Sequence, residues 1–335
     1  MSRDEPPASD PANSAAAPQR RRAGAASVPQ GELFRLDSPL YGEIRGERSL
    51  AAFPFFALSK QRWMKPLSYN HDRVMIEVRP SASGVATIYD KEIVLYIASL
   101  MAAKIEAGET VQQDFVFTAH DLFTVTGSNH SARSYSRLSE ALERLQGTQI
   151  KTNIEAGGEG EEGFFSWLSE ARLHYTKTRS GDRRLKAVKV RLCDWLYRAI
   201  LLDRHVLDYA NAYFQLGPIE RRIYEVARST CPSAAEGGAL EVDLATFRLQ
   251  IGYQNPLANF RSALKAIALA DAIPGYRLQL VETVGGEAAR DEAPRRGRRA
   301  MPCTVVITAR PIAIEDGATE DGATGNMADD EAGAG

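Results

Sequence analysis

Cysteine is scarce in this 335-residue chain. Cys193, Cys231 and Cys303 are far apart and odd in number, so they supply neither a disulfide framework nor a zinc-binding spacing. Free thiols in a reducing compartment are the expectation, and the chain reads as cytoplasmic. Long apolar runs are also missing. No stretch approaches the ~20 residues of a membrane-spanning helix. The Pro/Ala-rich start has no hydrophobic centre of the kind a secretory signal needs.

Enzyme signatures are absent too. No Gly-x-x-x-x-Gly-Lys-Ser/Thr run is present, and Gly157-Gly158-Glu159-Gly160 is acidic and would repel phosphate. There is no Gly-x-Ser-x-Gly nucleophile elbow. The five histidines, His71, His120, His130, His174 and His205, are scattered, with no pair at metal-ligand spacing on one element. A DNA-nicking enzyme would want two metal-holding histidines beside a nucleophilic tyrosine. Tyr135 lies near His130 in sequence without a second histidine beside them. The expectation is a non-enzymatic protein with no metal and no cofactor. His120 reads as solvent-facing.

What is present is ordinary globular composition, 44% hydrophobic and 25% charged, with chain enough for two cores. The net charge of -2 conceals an asymmetry. Seven of the 43 acids lie beyond Arg310, where there is no base, leaving 36 against 41 bases over residues 1–310. That mild excess permits nucleic-acid binding without demonstrating it. Residues 1–30 (with Arg20-Arg21-Arg22) and 311–335 are too poor in apolar content to fold, and read as a disordered arm and a disordered acidic tail. The simpler reading of Arg20 to Arg22 is solvated tail.

Between these ends the pattern is α+β. Phe53 to Leu58 forms an apolar, extended packing segment. Val74 to Val78 alternates as a strand, and Ser81 to Gly84 is a turn. Thr87 and Asp90 offer a capping box before an apolar helix, about 89–107, with Ile93, Ile97, Leu100, Met101 and Ile105 on its inner face. Phe115 to Phe117 is a short strand. Thr118 caps the next helix, and Gly127 ends it.

The stretch from Asp121 to Ile154 is the most informative. It reads as helix, polar turn, helix, strand. Tyr135, Leu138, Leu142 and Leu145 fall on one stripe at a helical period, and Tyr135 is expected in the core. Arg133, Ser134, Arg137 and Arg144 are left facing outward. A buried stripe behind an Arg/Ser face, preceded by Ser128-Asn129-His130, suits a helix that reads DNA. The bland alternative is a solvated helix surface. After Gln149 to Ile154 (with Lys151) and an acidic glycine-rich turn come two strands, Phe164 to Thr178 and Leu185 to Cys193. Val188, Val190 and Leu192 are expected to point inward.

That hairpin is the most basic region. Nine Lys/Arg fall between Arg172 and Arg198, with only Asp182 and Asp194 opposing. Arg179, Arg183 and Arg184 mark the tip, and Lys186 lies beside it. Such a cluster contacts phosphates without sequence preference. A solubilising sheet edge is the competing reading.

The order then recurs. A helix over about 195–202 closes the first domain. Pro218 opens another helix with Ile219, Ile223, Val226 and Ala227 inward. Leu240 to Val242 is a strand, and Asp243 caps a helix holding Leu244, Phe247 and Leu249. Gly252 ends it before the turn at Tyr253 to Pro256. The following helix buries Leu257, Phe260, Leu264 and Ile267. Its outer face carries Asn259, Arg261, Ser262 and Lys265, with Asn255 in the turn. Two strands, Tyr276 to Thr283 and Cys303 to Thr308, flank a loop containing Arg295 to Arg299. The reading is two tandem winged-helix domains, residues 31–204 and 205–310. Either Arg133 or Arg137 could pair bidentately with guanine, and Asn259 could read adenine. Arg261 and Lys265 reach guanine or phosphate, while Ser128, Asn129, Ser134 and Ser262 suit phosphate or water-mediated contacts. His130, Lys151, Asn255, Arg296 and Arg298 complete the candidate DNA-binding set.

The segment RSYSRLSEALERLQGTQIKTNI, Arg133 to Ile154, closely resembles the most distinctive part of the plasmid replication initiator protein A family. Four other blocks resemble the family in the same order: Phe55 to Lys60, Gly84 to Lys91, Asp194 to Leu196, and Pro218 to Arg228. These blocks are spread across about residues 34–231. The resemblance implies a bacterial, theta-type plasmid initiator with two winged-helix domains. It implies binding to repeated origin sites in double-stranded DNA, opening of adjacent A·T-rich duplex, and recruitment of the host initiator and replicative helicase machinery. It further implies that the second domain does the base reading while the first contacts backbone or dimerises. Homodimers would repress the protein's own gene and monomers initiate. A winged-helix transcriptional regulator without a replication role is the alternative.

Overall fold

The computed structural model describes residues 35–160, 162–232, 238–282 and 303–310. From Leu36 onward they belong to one compact unit. The basic arm at Arg20 to Arg22, the acidic tail and the loop with Arg296 and Arg298 lie outside the described residues.

In chain order the elements are β1 (Ile44–Glu47), α1 (Arg48–Ala52), β2 (Leu67–His71), β3 (Val74–Arg79), α2 (Lys91–Glu106), β4 (Asp114–Phe117), α3 (Ala119–Thr126) and α4 (Ala132–Gly147). Next come β5 (Gln149–Thr152), β6 (Leu168–Lys177), β7 (Arg183–Leu192), α5 (Asp194–Arg198) and β8 (Val206–Tyr209). The described chain closes with α6 (Pro218–Thr230), β9 (Ala239–Asp243), α7 (Leu244–Ile251), α8 (Leu257–Ala270), β10 (Tyr276–Glu282) and β11 (Cys303–Ala309). The fold is mixed α and β, with several small antiparallel sheets.

Two of those sheets repeat one plan. In the first, the strand order is β4-β7-β6; in the second it is β10-β11-β9. In each, the short strand preceding the helix pair bonds to the last strand of the set. The helix pairs match as well. Both α3 and α7 have eight residues, start at a side-chain cap (Thr118, Asp243) and end at a left-handed glycine, Gly127 at φ 67° and Gly252 at φ 77°. Glycine tolerates that conformation because it has no Cβ.

Two hydrophobic clusters underlie the repeat. One gathers Phe55, Phe56, Trp167, Trp195 and the stripe of α4. The other gathers Tyr209, Tyr213, Phe247, Phe260, Leu264 and the strands β10 and β11. The helix α2 serves both. It was expected to bury one face, but every residue from Ile93 to Ala102 is buried, and Leu95 belongs to the second cluster. Such a helix, apolar all round, needs partners on every side.

Several expectations are corrected. Tyr135 is not a core residue; it is 36% exposed and meets Phe123 edge-on. Its place on the stripe is taken by Ala141, beside Leu138, Leu142 and Leu145. Leu249 is 45% exposed, and Leu257 and Ile219 are only half-buried. The helix expected over 195–202 is α5 continued by a π-turn through Asp203. The pairing of β1 with β8, Ile44 opposite Tyr209, leaves no local signal, because it joins short segments 165 residues apart. Cys193 and Cys303 are buried and Cys231 is half-buried.

The largest surprise is ionic. Lys91, Arg221, Arg222 and Glu225 are all at most 2% exposed. Lys91 Nζ donates to Glu225 Oε1 at 2.6 Å and to the Leu50 carbonyl at 2.8 Å. Arg222 donates to Glu225 Oε2 at 2.6 Å and to the carbonyls of Ala51 and Gln250. Arg221 meets Glu92 at 2.7 Å, and Tyr213 donates its hydroxyl to Glu225. Glu47 caps α1 close by, so three cations face three carboxylates. Burial alone would drive the Glu225 carboxyl up, but Lys91, Arg222 and Tyr213 outweigh it and hold it below the ordinary range. The network joins α1 and α2 to α6.

Candidate nucleic-acid interface

The first candidate surface is built by the turn between α3 and α4. Thr118 accepts a hydrogen bond from the Asp121 amide, fixing the start of α3. Ser131 caps α4 through the Ser134 amide, and the two hydroxyls lie 3.1 Å apart. Ser134 is therefore half-buried and tied into the cap. Ser128 is also half-buried, its amide bonded to the Phe123 carbonyl and its hydroxyl receiving Thr126. Asn129, His130, Arg133 and Arg137 are exposed.

A second histidine does join His130, contrary to the sequence expectation. His120 projects from α3 into solvent, and its ring lies tilted against that of His130, with centroids 4.5 Å apart. His130 and Tyr135 both meet Phe123 edge-on. Among the described residues no three His, Cys, Asp or Glu side chains are grouped to hold a metal ion.

Arg144, expected to face outward, instead turns back. Its Nε and Nη2 donate to the two oxygens of Asp90, each at 2.8 Å. Asp90 also accepts the Thr87 amide, and the Asp90 amide reaches back to the Thr87 hydroxyl, which forms the anticipated box before α2. Arg137 stays on the rim of a groove of about 650 Å³ between α4 and the segments around Lys60 to Arg62 and Thr87 to Glu92.

The ribbon of β6 and β7 carries the strongest charge. Arg179, Arg183, Arg184 and Lys186 are all exposed. The tip is closed by the Thr178 amide to the Asp182 carbonyl at 2.8 Å and by Gly181 at φ 88°. Arg183 lies over the Tyr175 ring at 4.3 Å, which holds its guanidinium at the ribbon surface. Two other bases of the ribbon are matched internally: Lys189 and Arg191 both pair with Asp114 on β4. Lys151 stands apart from this ribbon. It lies on β5, an edge of the sheet β2-β3-β5, opposite Glu77 and near the Phe164 ring.

The second surface repeats the geometry with different chemistry. Asp243 caps α7 by accepting from the Ala245 and Thr246 amides, and the Thr246 hydrogen bonds hold its carboxyl below the ordinary value. Asn255, Asn259, Ser262 and Lys265 are exposed. Ser262 bonds back to the Ala258 carbonyl at 3.1 Å, so its hydroxyl is partly committed to its own helix. Arg261 is only 26% exposed. It and Lys265 converge on Glu282 of β10, a residue missing from the sequence-based site. Lys265 Nζ is 2.9 Å and Arg261 Nη2 3.7 Å from the same oxygen, Glu282 Oε1. The hydrogen bond from Lys265, then the two positive charges, draw the Glu282 carboxyl below its ordinary range. Nothing in an alternating strand marks this glutamate, because the contact depends on how β10 crosses α8.

The sequence profile of Replication initiator protein A matches residues 45–278. This chain belongs to that family. A relative described as a putative replication protein, from Wigglesworthia glossinidia brevipalpis, is 29% identical over 250 residues, covering 74% of this chain and 89% of that one. Among solved structures, domains 2 and 3 of RctB align with a TM-score of 0.52 at 12% identity, over 78% of this chain and 98% of that one. At that identity the likeness is one of fold. A Pi initiator protein solved with iteron DNA has a TM-score of 0.44 at 12% identity, covering 67% and 92%, too slight to bear on this chain.

Two of the blocks that resemble the family, Gly84 to Lys91 and Pro218 to Arg228, meet in the buried ionic network. Their residues hold this initiator-family fold together. A pointer was available in the sequence: Arg222, Glu225 and Ser229 extend the apolar stripe of α6 at helical spacing.

Proposed function

We propose that this protein is a plasmid replication initiator that binds double-stranded DNA sequence-specifically through two winged-helix domains, residues 31–204 and 205–310. The observation that carries the reading is the repeated plan: a capped short helix, a glycine-ended turn, a second helix, and a strand pair that returns to bond with the strand before the helices. A helix presented in this way can enter a major groove while the adjoining ribbon meets phosphates. Membership of the initiator family supports replication over transcriptional regulation alone.

In this reading α4 and α8 face the DNA. Arg133, Arg137, Asn259 and Lys265 offer base or phosphate contacts, and Arg179, Arg183, Arg184 and Lys186 bind backbone. The protein opens A·T-rich duplex beside its repeats, recruits host initiator and helicase, and as a homodimer represses its own gene. It works in the cytoplasm, without a cofactor and without cutting DNA. No helix among the described residues is long and apolar enough to cross a membrane.

The decisive experiment places the flanking DNA on a plasmid with no other origin. Replication should require this gene, and replication without it ends the initiator reading. Footprints should cover repeats of about 20 base pairs, roughly two helical turns. Supercoiled origin DNA incubated with the full chain and magnesium should yield no covalent adduct; an adduct would establish a nicking enzyme instead.

A further inference from the structure

We infer that Glu282 is a specificity filter for the second helix pair: its carboxylate occupies the place a DNA phosphate would take on Arg261 and Lys265. The inference rests on the reading of α8 as a DNA-facing helix. It goes beyond that reading by assigning an acidic residue a role in a basic surface.

The geometry is specific. Arg261 and Lys265 are one turn apart on α8, so both side chains can reach one acceptor. One oxygen of Glu282 receives both, at 3.7 and 2.9 Å. The residue is the last of β10, paired opposite Cys303 of β11 and on the same face as Tyr276 and Leu278, so its placement is set by the sheet. Glu282 itself is 39% exposed and therefore open to the solvent from which DNA arrives.

The Lys265–Glu282 pair is exposed on both sides and contributes little to the stability of the fold. Its effect on an approaching polyanion is larger in consequence. On random duplex guanine seldom stands in register with Arg261 and Lys265, so the two side chains meet mainly phosphates, which must displace Glu282 and then lie against its negative charge. A matched duplex also offers guanine N7 and O6 acceptors, which carry no net charge and can share the cations with Glu282. The carboxylate thus penalises sequence-independent binding more than sequence-specific binding. Discrimination by a built-in repulsion is a general route to specificity. The first surface differs: among the described residues no carboxylate lies within ion-pair distance of the exposed α4 arginines Arg133 and Arg137, whereas Arg144 is bound to Asp90.

The test uses the full chain, a random-sequence duplex of about 30 base pairs, spanning some three helical turns, and a duplex recovered by selection with the same protein. Glu282→Gln keeps the shape and removes the charge. The variant should bind random duplex about three- to tenfold more tightly, with the slope of log K against log salt steeper by about one. Affinity for the selected duplex should change by less than about threefold, so the specificity ratio falls. Glu282→Asp, which retains the charge, should keep random-duplex affinity low. Unchanged affinity and slope on random duplex would overturn the filter, as would loss on the selected duplex without gain on random DNA. Arg261→Ala and Lys265→Ala separate the two levels. If these weaken DNA binding while Glu282→Gln does nothing, the filter alone is wrong. If neither weakens it, α8 does not face DNA and both readings fall.

Discussion

Arg144 and Arg137 lie two turns of one helix apart, and their fates differ because of what lies opposite each. Arg144 meets Asp90, which is 4% exposed and also holds the start of α2. Removing the guanidinium leaves that carboxylate buried without its charge partner. Arg144→Ala should therefore destabilise the fold by about 3 kcal/mol, the lower end for a broken buried pair because Arg144 keeps some solvent contact. Chemical denaturation measures this, and DNA affinity per folded molecule should be unchanged. Arg137→Ala should do the reverse. Its stability should stay within about 0.5 kcal/mol of the parent, while affinity for a selected duplex should fall by about 1–3 kcal/mol if it reads a base. Equal behaviour of the two variants in both assays would contradict this division.

At the scale of elements, the two helix pairs are alike in plan but not in surroundings. Both turns need glycine for its positive φ. At Gly127 an added Cβ would meet only the end of the Gln215 side chain, at 3.0 Å. At Gly252 it would meet Pro54 Cβ at 2.6 Å, a ring with nowhere to move. Each alanine substitution carries about 1–2 kcal/mol of left-handed strain, and Gly252→Ala adds an overpacking cost of about 1–3 kcal/mol. The melting temperature should fall further for Gly252→Ala than for Gly127→Ala, and the reverse order would show that the Pro54 contact is not tight. The ribbon behaves differently from either helix. Arg183 is exposed on β7, so Arg183→Ala should weaken binding to all duplexes alike and flatten the salt slope by about one. A selective loss on one sequence would instead assign it to base reading.

For the whole molecule, the buried ionic network makes the halves dependent on one another. Lys91 comes from α2, and Glu225, Arg221 and Arg222 from α6. Lys91→Met should cost about 3–5 kcal/mol, because Glu225 stays buried with one fewer cation. Unfolding should remain a single transition followed by any probe. A separate early transition of the second half would show that the network does not couple them. The pH dependence has a definite sign. Burial outweighs the attraction of Glu225 and pushes the Lys91 amine down to about 8. In the unfolded chain it would titrate at about 10.4. Between those values the folded chain holds fewer protons, so the contribution linked to Lys91 increases with pH. The stability gap between parent and Lys91→Met should widen from about pH 8 towards 10. A gap that narrows across that window would mean the Lys91 pKa is not depressed. On the acid side Glu225 acts in the usual direction, contributing above the ordinary carboxylate range and losing that contribution as pH falls through its lowered value.

Local sequence determined the elements and their order. Caps at Thr118 and Asp243, glycines at 127 and 252, the alternation of Val188, Val190 and Leu192, and the stripes of α4 and α8 apart from their first members, Tyr135 and Leu257, all act between near neighbours. They were therefore legible from spacing, as was most of the exposed basic ribbon. The family itself was legible in the block from Arg133 to Ile154. Tertiary structure alone decided which charges are free. An arginine on the outer arc of a helix looks the same in sequence whether it meets solvent, as Arg137 does, a carboxylate 54 residues away, as Arg144 does, or a glutamate on the next strand, as Arg261 does. The same holds for Lys91 and Glu225, 134 residues apart in the chain and 2.6 Å apart in the fold. Hydrophobic periodicity reports which face a helix buries. It carries no information on distant partners, because an ion pair is set by the position of two side chains and not by the period of either segment.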